Sequence, residues 1–155
     1  MIVIAIEELP ALLASGGTLA GIDLGDKTIG LAISDRSLAF AHPRPVIMRK
    51  KFSLDAAALV AALAKDEVRA VVIGLPVNMD GSEGPRSQSS RAYARNLAAL
   101  DLPILLWDER WSTVGAERGL IDQDMSRAKR AERIDSAAAA VILQAAIDAL
   151  AGSAF

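Results

Sequence analysis

The sequence predicts an α/β layered domain on a mixed sheet, antiparallel in its first half and parallel behind. Three features predict it: a strand-like apolar run at 19–24 that turns back through Gly25-Asp26-Lys27, two later apolar runs at 68–73 and 103–107, and helix-spaced apolar stripes between and after them.

Residues 1–17 form a short appendage ending in the turn-forming pair Gly16-Gly17. The nearly unbroken apolar run at 19–24 is what a strand buried on both faces requires, and residues 29–34 pair with it as a hairpin. A third strand within 38–48 contains Pro43 and Pro45, which lack a ladder donor and therefore suit an edge. Ser53 is expected to cap a helix whose apolar face carries Leu54, Ala57, Ala58, Ala61, Ala62 and Leu63. The β-branched run at 68–73 ends at Gly74, and a loop rich in Gly, Asn and Asp leads to a helix starting at Pro85, with Tyr93 and Leu97 inward. After the strand at 103–107, Ser112 or Thr113 is expected to cap a helix reaching residue 121. The last helix carries Ile134, Ala138, Val141, Ile142 and Ala145 on one stripe and stops before Gly152. The main domain is thus expected at 18–150, with a tail at 151–155.

Composition narrows the chemistry. With 52% hydrophobic residues the chain can bury a core, and with 4% aromatics that core must be aliphatic. No cysteine excludes disulfides, cysteine-held zinc and iron–sulfur clusters; a single histidine excludes multi-histidine metal sites. Hard-metal chemistry is left to carboxylates. Neither a signal peptide nor a membrane span is read, and a reducing cytoplasm suits the chain. A net charge of −2 is unusual for a nucleic-acid binder, yet acidic site residues can offset basic patches elsewhere.

Three carboxylates stand out. Asp23 lies inside an apolar strand, where a charge needs a partner or a cation, and alternation sends it to the face opposite Ile22 and Leu24. Taken alone it also suits a carboxylate bonded to turn amides. Asp108-Glu109-Arg110 follows a strand at its carboxyl end, where open α/β sheets gather ligands. Asp135 alone reads as a helix N-cap or first-turn acid. Together, two strand ends and a helix start can bring three acids side by side. Like charges about 4 Å apart repel by about 4 kcal/mol at an effective dielectric near 20, so such a cluster raises its pKa values or recruits cations. Mg²⁺ takes oxygen ligands and substrate phosphates, and paired ions suit phosphodiester hydrolysis. Only one of Asp108 and Glu109 should reach the metal, because adjacent strand residues face opposite ways; Glu109 is the expected ligand.

The 74–86 loop enters a helix N-terminus, a natural anion site, and its Asn78, Ser82 and Arg86 are expected to hold a nucleic-acid backbone. Basic residues also gather at Arg44, Arg49, Lys50 and Lys51, at Arg127, Lys129, Arg130 and Arg133, and as a stripe with Arg91 and Arg95. His42 and the Asp122/Asp124 pair read as ordinary surface.

Four ordered blocks then resemble the YqgF/RuvX-type family, described as Holliday junction resolvases or pre-16S rRNA nucleases. They are residues 21–30 (GIDLGDKTIG), 74–81 (GLPVNMDG), 108–113 (DERWST) and 134–138 (IDSAA). The resemblance covers about 18–150 and implies an RNase H-like three-layer fold on a five-stranded sheet. It also implies a catalytic and metal-binding triad of Asp23, Glu109 and Asp135 with Mg²⁺ or Mn²⁺ as cofactor. Within the blocks, Lys27, Arg110, Ser112 and Thr113 join Asn78, Ser82 and Arg86 as expected substrate contacts. The implied role is precursor 16S rRNA processing in ribosome biogenesis, with RNA the favoured partner and branched DNA the alternative. Asp26 stands where the family more often has Thr, adding negative charge beside the site, and Trp111 where it often has Leu.

Two other functions compete. The Asp23-Leu24-Gly25 segment followed by Gly30 also resembles the first phosphate loop of sugar kinases, actin and Hsp70-type ATPases, but those need a second domain for which 155 residues leave no room. A nucleic-acid-binding or transcription-associated factor with a weak acidic site would bind without cutting. Oligomeric state is not legible in the sequence.

Overall fold

The computed structural model describes residues 3–99, 101–111 and 127–152, with side chains for 5–99, 101–110 and 137–152. Its strands are β1 (Val3–Ile4), β2 (Thr18–Leu24), β3 (Thr28–Ser34), β4 (Ala41–Met48), β5 (Val68–Leu75) and β6 (Ile104–Asp108); its helices are α1 (Leu9–Leu12), α2 (Phe52–Lys65), α3 (Pro85–Ala98) and α4 (Arg127–Gly152). The strands form one sheet in the order β1-β6-β5-β2-β3-β4. The pairs β2–β3 and β3–β4 are antiparallel; β2–β5, β5–β6 and β1–β6 are parallel. The expected five-stranded mixed sheet is there. Val3 and Ile4 of the appendage add a sixth, two-residue edge strand beside Ile104 and Leu105.

Alternation along the strands makes two cores. Ala20, Ile22, Leu24, Leu31, Ile33, Val71 and Ile73 pack on one face against Leu59 and Leu63 of α2 and Tyr93 and Leu97 of α3. Leu19, Ala32, Ala70, Val72, Leu105 and Trp107 pack on the other against Ala139, Ile142, Leu143 and Ala146 of α4, joined by the fully buried Leu9 of α1. Helices thus cover both faces in three layers.

Several sequence expectations shift. Helix α2 starts at Phe52 after Lys51, which offers no side-chain cap; instead the buried Asp55 carboxylate accepts the Lys50 N–H at 2.8 Å. Ser53 is inside the first turn, and a buried stripe of Ala56, Leu59 and Leu63 leaves Leu54 exposed. The buried face is thus turned from the expected one, with Asp55 rather than Ser53 accepting an amide at the helix start. The expected N-cap or first-turn role of Asp135 fails as well, since α4 is already helical from Arg127. Arg127, Lys129, Arg130, Arg133, Ile134 and Asp135 have backbone in α4, but their side chains lie outside the described residues, as do Ser112, Thr113, Asp122, Asp124 and the helix expected to reach 121.

Candidate carboxylate site at the sheet's carboxyl edge

Strands β2, β5 and β6 run parallel, so their carboxyl ends meet at one edge. Asp23 shares a face with Leu19 and Gly21, the face under α4, and is 3% exposed. Gly21 is where α4 comes closest: a Cβ there would lie 2.7 Å from Leu143 Cβ and 2.8 Å from the Ala139 carbonyl oxygen. Ile22 pairs with Ile73, which puts Gly74 level with Asp23 on the neighbouring strand, about 4.8 Å away across the ladder. Gly74 in turn pairs with Trp107 of β6.

The missing side chain at Gly74 shapes the site. A Cβ at Gly74 would sit 2.8 Å from Glu109 Oε1 and 2.6 Å from Ile142 Cδ1. The Glu109 carboxylate therefore rests over Gly74, on the face and at the level of Asp23. Glu109 begins a single 3-10 turn, Glu109–Trp111, directly after β6. Asp108 is engaged elsewhere: Arg110 Nη2 donates to its Oδ2 at 2.7 Å and the Arg110 backbone N–H to its Oδ1 at 2.8 Å. The Arg110 guanidinium holds the Asp108 carboxyl below the usual carboxylate range, its side-chain hydrogen bonds outweighing burial.

The structure thus brings Asp23 and Glu109 together and turns Asp108 aside. Asp135 stands on α4 one turn before Ala139. Among the described residues no group of three His, Asp or Glu side chains forms a metal-holding cluster, and the Asp135 side chain is not among those residues. The donor set of Asp23 and Glu109, all oxygen, fits a hard divalent cation, and the space left by Gly74 is what lets Glu109 reach that place.

Residues of the 74–86 loop divide by role. Asn78 Nδ2 donates to Ser82 Oγ at 3.0 Å, and the Ser82 hydroxyl and amide both donate to Asp80 Oδ1, so Asn78 and Ser82 brace the loop from within. The Ser82 hydroxyl bond is the main reason the Asp80 carboxyl titrates below its ordinary value. Ser87 Oγ donates to the Pro76 carbonyl. Glu83 grips Arg91 through two bonds of 2.6 and 2.7 Å, which takes Arg91 out of the basic stripe. Lys27 and Arg86 are exposed. Sequence reasoning missed Gly74 as a seat for Glu109; its signal was a glycine closing a β-branched run, the mark of close approach.

The fold defines the class: an RNase H-like, three-layer α/β domain. RuvC of Thermus thermophilus in complex with a Holliday junction substrate superimposes with a TM-score of 0.59 at 16% identity, covering 88% of this chain and 97% of that one; a second Thermus thermophilus RuvC structure gives 0.50 at 15%, with the same coverage. The sequence pattern of the RuvX family, described as Holliday junction resolvase, matches residues 17–149, and the chain belongs to that family. A relative from Mesorhizobium japonicum named as a candidate pre-16S rRNA nuclease is 71% identical over 143 residues, 92% of this chain and 86% of that one. One of the same name from Brucella anthropi is 64% identical over 151 residues, 97% of this chain and 92% of that one. Among the described residues no helix is long and apolar enough to cross a membrane.

Proposed function

We propose that this chain is a nuclease that hydrolyses nucleic-acid phosphodiesters, with precursor 16S rRNA in the cytoplasm as its substrate and Asp23, Glu109 and Asp135 as holders of Mg²⁺ or Mn²⁺. The observation that carries the reading is the Glu109 carboxylate lying over Gly74, level with the buried Asp23, where three parallel strands end. Divalent cations held there would supply Lewis acidity and positive charge for phosphodiester hydrolysis. The chain's own part is to place the ligands. β2 sets Asp23, the space over Gly74 admits Glu109, and α4 carries Asp135 on the turn before Ala139. Arg110, fixed by Asp108, and the exposed Lys27 offer positive charge to the phosphate backbone beside them. The name shared by relatives at 64 and 71% identity favours RNA.

The test is metal-dependent cleavage of precursor 16S rRNA and a four-way DNA junction side by side. Cutting of the RNA is expected with Mg²⁺ or Mn²⁺, lost in EDTA and in Asp23→Asn, Glu109→Gln and Asp135→Asn while circular dichroism stays unchanged. Preferred cutting of the junction would replace RNA by branched DNA. Binding of either without cutting, alike in wild type and Asp23→Asn, would leave a non-catalytic factor.

A further inference from the structure

A cleft opens on the other side of β2, away from Asp23. It is lined by Leu24, Gly25, Asp26, Arg49, Pro85, Arg86, Ser89 and Ser90. Leu24 and Tyr93 belong to the core under α2 and α3, so the cleft lies on that face of the sheet.

Three features mark it as built for an anion. Arg49 is preset: its Nη1 donates to the Gly25 carbonyl at 2.7 Å and its guanidinium lies 5.7 Å from the centre of the Tyr93 ring. That leaves the rest of the planar fork for a ligand. Ser90 is 3% exposed overall and lines the cleft, which puts a hydroxyl-bearing residue in its wall. Arg86 is exposed on the first turn of the 14-residue α3 and makes no ion pair among the described residues. Among the lining residues stands one carboxylate, Asp26, in the turn that Arg49 bonds on either side of it.

We propose that this cleft is a subsite for a single non-scissile backbone phosphate of the nucleic-acid strand, held by Arg49, Arg86 and the Ser90 hydroxyl and tempered by Asp26. The proposal rests on the nuclease reading. Gly25 is two residues beyond Asp23, so the cleft and the carboxylates flank one strand end, about 7 Å apart along β2. A strand crossing that edge leaves one phosphate on each side. Asp26 weakens the grip, which lets product leave.

Binding of a short single-stranded RNA in EDTA separates the two readings, because nothing is cut. Arg86→Gln is expected to weaken binding about tenfold and to lower the slope of log K against log salt by about 0.7. Arg49→Gln should match it, and the double variant should lose less than the sum, because both contact one phosphate. Asp26→Asn should bind several-fold tighter. A DNA strand carrying one neutral methylphosphonate at successive positions should reveal one position where wild type loses what Arg86→Gln loses, with no further loss in the variant. The control is Arg36→Gln, at the opposite end of the sheet and paired with Glu67. Should Arg86→Gln and Arg49→Gln both bind like Arg36→Gln while wild type still cuts RNA with Mg²⁺, the subsite falls and the nuclease reading stands. Should wild type bind no nucleic acid at all, both fall.

Discussion

The two faces of β2 are built from alternate residues of one strand and have taken opposite assignments. Toward α2 and α3 stand Ala20, Ile22 and Leu24, part of an apolar layer with Ile29, Ile33 and Ile73. Toward α4 stand Leu19, Gly21 and Asp23: small where the helix must come close, and charged at the carboxyl end. The first face stabilises the domain and the second gives up apolar area to hold acid. A two-residue period is enough to keep stability and chemistry apart within 7 residues of chain.

That contrast can be broken at adjacent positions. Asp23→Asn should lower cleavage on the order of a thousandfold with the thermal transition nearly unmoved. Ile22→Ala, one residue earlier, should cost about 2–5 kcal/mol in urea unfolding while each folded molecule still cuts. Equal effects on both measurements at either position would dissolve the separation.

The two glycines under α4 sharpen it. Gly74→Ala pushes on Glu109 Oε1 and on the flexible tip of Ile142, so about 1–3 kcal/mol of stability and most of the activity should go together. Gly21→Ala meets the Ala139 carbonyl and Leu143 Cβ, neither of which can swing aside. It should therefore destabilise more than Gly74→Ala and damage activity mainly by lifting α4, which a drop in melting temperature would register first.

The smallest effect belongs to the loop. The Asp80 carboxyl is held low first by the Ser82 hydroxyl and then by its amide. A carboxyl lowered in the folded state stabilises above its unfolded pKa, near about 3.9, and that contribution disappears as pH falls through the folded value. NMR titration should place Asp80 below about 3.9 in the wild type and move it upward in Ser82→Ala. An unmoved midpoint would show that the hydroxyl does not set it.

Much of this was legible in the chain. Strand β2 reads out because an apolar run interrupted by one acid has few alternatives, and the edge position of β4 follows from Pro43 and Pro45. The approach of Glu109 to Asp23 was legible only in part. Alternation separates Asp108 from Glu109, but the space that receives Glu109 depends on Gly74, a residue far away in sequence. Helix α2 misled because alanine-rich segments carry weak facial preference; its facing follows the burial of Leu59 and Leu63, with the Lys50-to-Asp55 hydrogen bond beside them. For the same reason the buried stripe of α4 runs through Ala139, Leu143 and Ala146 beside the expected Ala138 and Ile142.

The sheet's two outer strands end it in different ways, and one of them guards the acids. At β4, prolines remove donors that another chain would need for strand addition. At β6 the protection among the described residues is Val3 and Ile4, laid beside Ile104 and Leu105 just upstream of Glu109. Peeling away those two residues would offer a bare backbone ladder to any extended peptide, and whatever docked there would tug on the strand that aims Glu109. Shielding against self-association and alignment of the acidic edge thus share one short clasp.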